Sequence, residues 1–458
     1  MNKEDLFQRL PGFARWMTLQ AEGLRIRSRR YNSSFFERLR ELEADIPEEV
    51  RRAAVQARCV DFVRKALATV PAYLDYGISP EDIRTLDDVR ALPLLPKATV
   101  RGSPHRYHAP EPRGANWKVR TSHTSGTTGA GLVFPVTCAA ENEQWAVWWR
   151  YRRWHGLELN TPCLVFGGRS FVPLRLRKPP YWVTNYPGRQ MLFSAYHLNE
   201  QTALSYLEAV QISNYPWLHG YPSILTVLAE SALKFGIELK TIRWITLGAE
   251  NVLEHQTRII ERAFGIRPRQ HYGMAEGVAN ISECPLGRLH VDEDFSLVEW
   301  VPNGHGGFQI AGTNFTNPAF PLLRYVVGDN VTPSAESTCP CGRAGRLVES
   351  IDGRQEDYVI TKSGVKLGRL DHVFKDLVRI AAAQIVQERR GIVRVLVVKG
   401  AGFSREDEAA LRHEIQKRTG SDLEATIEYV SEIRRTASGK TRFVINHLES
   451  GRILGKSI

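Results

Sequence analysis

The chain has 458 residues, 43% of them hydrophobic, and a formal charge of +11. That length supports a large core and about two to three domains, and 24% charged residues without a long single-sign run exclude wholesale disorder. Six cysteines are too few for a disulfide scaffold, and the sequence has no uninterrupted apolar run of about 20 residues, as a spanning helix needs. The start, from Met1 to Leu6, lacks an apolar stretch of signal-peptide length, so the chain reads as cytoplasmic. The basic excess would draw nucleic acid, an anionic membrane or small polyanions. It is scattered rather than gathered into an arm, and no nucleic-acid-binding signature accompanies it.

The segment Phe13 to Arg30 mixes Trp16, Met17 and Leu24 with Arg25, Arg27, Arg29 and Arg30. It is expected to be a packed helix with a solvated basic face, membrane contact being the alternative. Apolar positions three and four apart predict a helix from Pro47 to Val70, and Leu92 to Lys97 breaks the pattern, so residues 1–100 form an α-rich entry segment. Cys59, Cys138 and Cys163 are expected as small buried hydrophobes.

The run Thr124, Ser125, Gly126, Thr127, Thr128, Gly129 has the composition of an anion cradle: glycines permit close backbone approach, and hydroxyl and amide donors face phosphate oxygens. It lacks the lysine of a Walker loop, and by composition alone it is equally an exposed turn. Trp145, Trp148, Trp149 and Trp154 follow at helical spacing, suited either to an acyl pocket or to core packing. Short apolar runs at Cys163–Phe166 and Trp244–Leu247 alternate with helical stretches such as Leu198 to Val210, which predicts an α/β architecture with mostly parallel strands. After residue 352 the texture changes to a small α+β unit: strand 392–399, helix 405–418 and strand 425–430. The expected domains are 1–352, a large multi-layer domain, and 353–458, a small one joined to it by a hinge.

The glycine-rich run resembles the phosphate loop of the acyl-adenylate-forming enzymes, which include acyl-CoA synthetases and peptide-synthetase adenylation domains. More narrowly, Leu192 to Leu198 and His219 to Ser223 resemble the phenylacetate-CoA ligase branch and its CapK-like relatives. The resemblance spans nearly the whole chain, with its motifs in order. It implies a large adenylating domain and a mobile small domain that consume ATP and Mg²⁺, activate a carboxylic acid as acyl-AMP, and pass the acyl group to coenzyme A or, alternatively, to an amine.

Residue by residue, the resemblance gives Tyr272 a ring to stack on adenine, with Gly273 beside it, and Glu276 a carboxylate for Mg²⁺. Ala275 stands where the family usually has a hydroxyl residue. Gly248, Ala249 and Glu250 match the adenine-side motif, Asp329 the ribose ligand, and Arg354 a residue within reach of the nucleotide. Glu356 matches the hinge. Lys440 matches the lysine that bridges carboxylate and α-phosphate, so Lys440, Glu276 and the loop hydroxyl of Thr128 would carry the chemistry. Separately, Cys284, His290, Cys339 and Cys341 offer three thiols and an imidazole, a donor set compatible with a closed structural Zn²⁺ site. Two rivals stay open at this stage: an ATP-binding scaffold without turnover and a basic nucleic-acid-binding protein.

Overall fold

The computed structural model describes residues 7, 10–111, 117–123, 132–167, 171–173, 176–198, 201–304, 306–354, 359–362, 366–367, 379–400, 402–419, 423–433 and 444–448. Its contacts divide the chain into two units, one of residues 1–23, 160–270 and 355–458, the other of residues 24–159 and 271–354.

The first unit contains a parallel sheet. Cys163–Gly167 pairs with Gln190–Ser194 on one side and Trp217–Gly220 on the other, and Trp244–Leu247 extends the order toward Arg269 and Gln270. Trp182–Asn185 closes the far edge antiparallel to Gln190–Ser194. The helices Ala203–Ser213, Pro222–Phe235 and Glu254–Phe264 bury Tyr206, Leu207, Leu225, Leu228 and Ile260 against it. Asn214 and Gly236, both left-handed, end the first two of these helices, which turns the chain back into the next strand. The predicted helix from Leu198 therefore begins only at Ala203, after a short 3-10 turn at Ala195–His197.

His255 lies near the start of Glu254–Phe264, and burial together with nearby Arg258 pushes its pKa down to about 4. Its neutral form is the folded one, so the unfolded chain binds more protons between pH 4 and the ordinary value near 6.5. Stability is complete above that window and falls by about 3 kcal/mol as pH drops through it. Urea unfolding of the His255→Gln variant is expected to lose this component of the pH dependence.

In the second unit the strands are antiparallel apart from Leu95–Pro96, which pairs in parallel with Tyr325 and Val326, and this corrects the expectation of mostly parallel pairing. The order runs from His271–Gly273 through Asn280–Glu283, Leu289–Val291, Leu347–Arg354, Tyr325–Pro333 and Phe308–Thr313 to Leu297–Pro302. Parallel strands need crossover helices; here the connections are short and rich in Gly, Pro, Asn and Asp, so hairpins form instead. The α-rich entry is present as helices Ser33–Glu43, Glu48–Thr69 and several short turns. It packs Cys59, Val63, Leu67 and Tyr73 with Phe134, Phe320 and Tyr325. Burial pushes the Cys59 thiol up to about 12, which leaves it inert. Cys163 is also buried, whereas Cys138 is only partly so.

Helix Cys138–Trp154 carries all four tryptophans, and it is more ionic than its aromatic content suggests. Buried Glu141 meets Arg29, Arg30 and Arg120 at 3.1, 3.4 and 3.0 Å, and Glu143 meets Arg38 and Arg58. Buried Arg150 holds Asp292 at 2.6 Å and Asp294 at 2.5 Å. Burial drives both carboxyls upward; at Asp294 the opposing pull of Arg150 wins, and at Asp292 burial does. Arg150→Ala would strand two carboxylates out of water, and urea unfolding is expected to show a loss of about 3 to 5 kcal/mol.

The strands and helix read between residues 392 and 430 are present, within a residue or so of the expected bounds. Strand Ile392–Lys399 lies between Ile380–Arg389 and Glu424–Tyr429, with helix Arg405–Thr419 and a core of Val393, Val395, Val397, Leu411 and Val444. Strand Ile380–Arg389 is an addition, hidden in the sequence because Ala381 to Gln384 carries no β-branched residue.

Candidate nucleotide and metal site

The hairpin Val119–His123 and Val133–Thr137 is paired in register from Val119 with Thr137 to His123 with Val133. It flanks the glycine-rich segment; Thr124, Ser125, Gly126, Thr127, Thr128 and Gly129 themselves lie outside the described residues, as do Glu356 and Lys440. Thr137 ends the second strand and caps helix Cys138–Trp154, its hydroxyl accepting from Ala140 N at 3.1 Å. The same helix fixes the Tyr272 motif: Gln144 Nε2 donates to Met274 O at 3.1 Å, and Trp148 Nε1 donates to Asn280 Oδ1 at 2.8 Å. A Cβ on Gly273 would meet that Asn280 oxygen at 2.7 Å, so this position admits only glycine.

Tyr272 and Asp329, 57 residues apart, converge: the phenol donates to Asp329 Oδ2 at 2.5 Å. Asp329 is buried and lies opposite Arg354 across the strand pair. Its strand is held at its start by Arg324, whose guanidinium forks onto the Glu299 carboxylate at 2.8 to 3.1 Å and also donates to Leu92 O. Arg324 has φ +50°, a conformation non-glycine residues avoid, and this ion pair holds it there.

Glu276 is buried in the same unit, and its backbone carbonyl accepts from Asn314 Nδ2 at 3.0 Å. Asn317, three residues on, receives Thr137 N and donates to Pro135 O. Asn314 and Asn317 thus tie the glutamate segment to the hairpin that flanks the loop. Sequence reading missed them; the signal was the polar run Thr313-Asn314-Phe315-Thr316-Asn317 inside an otherwise apolar region.

In the other unit, Gly248, Ala249 and Glu250 follow strand Trp244–Leu247. Ala249 has φ +69°. The Glu250 carboxylate receives Ser223 N at 3.1 Å and Ser223 Oγ at 3.0 Å, capping the start of helix Pro222–Phe235. The side chain of Glu250 therefore anchors the turn, and the backbone of Gly248 and Ala249 is what the turn can offer a ligand.

Three of the four tryptophans gather: Trp145 meets Trp148 edge to face at 5.0 Å, and Trp145 and Trp149 share Tyr31 and Arg152. Trp154 lies toward His290 at 6.4 Å. Trp148 also turns toward the Tyr272 strand, its ring tilted against His271 at 5.3 Å.

Cys284, His290, Cys339 and Cys341 come together, their donor atoms all within 4.8 Å of one another. Cys284 follows one strand, His290 sits in the next, and the other two thiols lie in the turn between Tyr325–Pro333 and Leu347–Arg354. His290 Nδ1 donates to Ala344 O at 3.1 Å, which leaves Nε2 facing Cys341 Sγ at 3.5 Å. This is the second-partner arrangement that orients a metal-binding imidazole. Burial pushes the Cys284 thiol up to about 11, so without a cation it stays protonated at neutral pH.

The fold is similar to that of 2-hydroxyisobutyryl-CoA ligase in its postadenylation state, in complex with R3-HIB-AMP, which superposes with TM-score 0.66 over 90% of this chain and 92% of that one at 18% identity. The anthranilate CoA ligase AuaEII with anthranoyl-AMP matches at TM-score 0.50 over 72% and 67%, at 14% identity. Residues 358–447 match the CapK C-terminal domain. Protein CapK of Staphylococcus aureus is 26% identical over 374 residues, 80% of this chain and 82% of that protein, so the chain resembles the CapK-like branch.

Proposed function

We propose that the protein activates a carboxylic acid with ATP as an acyl-adenylate and then transfers the acyl group to coenzyme A, with an amine as the alternative acceptor. The single observation that carries the reading is the convergence of Tyr272 and Asp329, two separately recognised nucleotide motifs, in one hydrogen bond. The ligase fold of the similar structures supports it.

In this reading Asp329 accepts hydrogen bonds from the ribose hydroxyls, while the Tyr272 phenol holds its second oxygen and presents the ring to adenine. Gly248 and Ala249 offer backbone groups on the adenine side. The segment Thr124 to Gly129, with Thr128, cradles the phosphates. Glu276 supplies a hard oxygen donor suited to Mg²⁺, which when bound offsets charge on the phosphates. The substrate carboxylate attacks the α-phosphorus, the bond to the bridging oxygen breaks, and pyrophosphate leaves. The proposed role of Lys440 is to meet the two approaching anions and lower their repulsion. The domain of residues 353–458 then turns about Glu356, with Arg354 at the junction, to admit the acceptor.

The four-donor cluster suits Zn²⁺, whose N/S preference and closed tetrahedral geometry match three thiols and one imidazole. Such an ion would be structural, with no open position for substrate.

Acid-dependent exchange of pyrophosphate into ATP, over a panel of carboxylic acids followed by CoA or amine acceptors, tests the reading. ATP binding without exchange for any acid would instead favour a scaffold without turnover. Lys440→Ala is expected to lower adenylate formation by about a thousandfold while leaving transfer from preformed acyl-adenylate largely intact. Equal loss of both half-reactions in folded protein would contradict the assigned role.

A further inference from the structure

Helix Gly12–Arg30 does not bury the apolar side chains expected of a packed helix. Its buried residues are Leu19 and Gly23, whereas Phe13 is 76% exposed, Met17 49% and Trp16 38%. Gln20 anchors the helix to the sheet edge: its amide donates to Thr184 O at 2.8 Å and its oxygen accepts from Tyr186 N at 2.9 Å. Gly23 belongs to the same contact, since a Cβ there would overlap Asn185 Oδ1. The helix is thus locked in place with Phe13 and Met17 left outward. Beside it lies a mainly apolar cavity of about 320 Å³ lined by Trp16, Leu19, Phe171, Leu176 and Trp182 among others.

The sequence around this surface is predominantly basic, with Glu22 and Glu158 at its margins. The sequence from Leu159 to Asn199 contains five basic residues and no Asp or Glu, and from Leu6 to Ala21 there are two arginines and again no acid. Arg177 and Lys178 are exposed on the loop that lines the cavity, and Arg15 lies in the cavity wall.

We infer that this face docks on an anionic phospholipid bilayer, Phe13, Trp16 and Met17 entering the interface and Arg177 and Lys178 meeting lipid phosphates. Aromatic and thioether side chains with a cationic rim are the chemistry that partitions to the headgroup boundary. A second copy of this chain is disfavoured as the occupant, because a two-fold interface would press this mainly basic rim onto itself. Among the described residues no helix is long and apolar enough to cross a membrane, so the contact is peripheral. The inference is independent of the adenylation reading.

Flotation of the full chain with vesicles tests it, comparing phosphatidylcholine alone with equal parts phosphatidylcholine and phosphatidylglycerol. Binding is expected only to the anionic vesicles and weakens with salt. Phe13→Ser with Met17→Ser, both exposed and belonging to none of the nucleotide motifs, lowers binding about tenfold. Arg177→Gln with Lys178→Gln lowers it by a similar factor of about ten, on anionic lipid alone. Absence of binding to anionic vesicles, or equal binding by wild type and both variants, overturns the inference. So does self-association that Phe13→Ser with Met17→Ser abolishes without any vesicle binding, which assigns the face to a second copy.

Discussion

Asp329→Ala is expected to weaken ATP binding by about a thousandfold, because two charge-assisted hydrogen bonds of about 1.5 to 3 kcal/mol each are lost together. Calorimetry with ATP and Mg²⁺ measures this without knowledge of the acid substrate. The Tyr272–Asp329 hydrogen bond adds a sharper test. Tyr272→Phe keeps the ring and removes only the phenol, so it is expected to cost about tenfold. If the phenol acts by orienting the carboxylate, the double variant Tyr272→Phe with Asp329→Ala binds ATP no worse than Asp329→Ala alone. Additive losses would mean that the phenol touches the nucleotide itself. Unchanged ATP affinity in folded Asp329→Ala would remove this residue from the site.

The second large effect concerns the cysteine cluster. Purified protein is expected to hold one zinc, and Cys341→Ser or Cys284→Ser to lose it, with a fall in melting temperature of about 10 °C. The size follows from what the ion would clamp. Strand Asn280–Glu283 pairs with the strand of Tyr272, and the turn of Cys339 and Cys341 joins the strand of Asp329 to its neighbour. Without the ion the turns that carry these four donors lose their cross-link, and the strands rely on their ladders, side-chain hydrogen bonds and core alone. Chelation below the melting temperature is therefore expected to weaken ATP binding before the protein unfolds. Protein prepared anaerobically with no stoichiometric metal would sink the zinc assignment.

The candidate site residues could be picked out in the sequence because the chemistry they offer is local. A glycine-rich loop, Tyr272 to Glu276, and Cys339-Pro340-Cys341 are short runs whose residue types state what they can bind. The small domain was legible for a similar reason, since Ile392 to Lys399 alternates and Arg405 to Thr419 carries acidic residues in its first turn. Glu250 shows the limit: its motif marked the turn, but only the fold revealed that its carboxylate holds Ser223. The tryptophans show it again, for helical spacing put four on one helix without deciding which would face the nucleotide strand.

What could be read from the sequence by itself, then, was the proposed class of chemistry and the order of its candidate parts, because those depend on residue types within a few positions of one another. The tertiary structure alone decided which distant groups meet: Tyr272 with Asp329, Cys284 and His290 with the paired thiols, Arg150 with two buried aspartates. It also decided that Phe13 and Met17 stay in solvent, a matter of what packs against a helix rather than of its own apolar pattern. Contacts between residues far apart in the chain are set by strand register and helix placement, which depend on the whole core being buried at once.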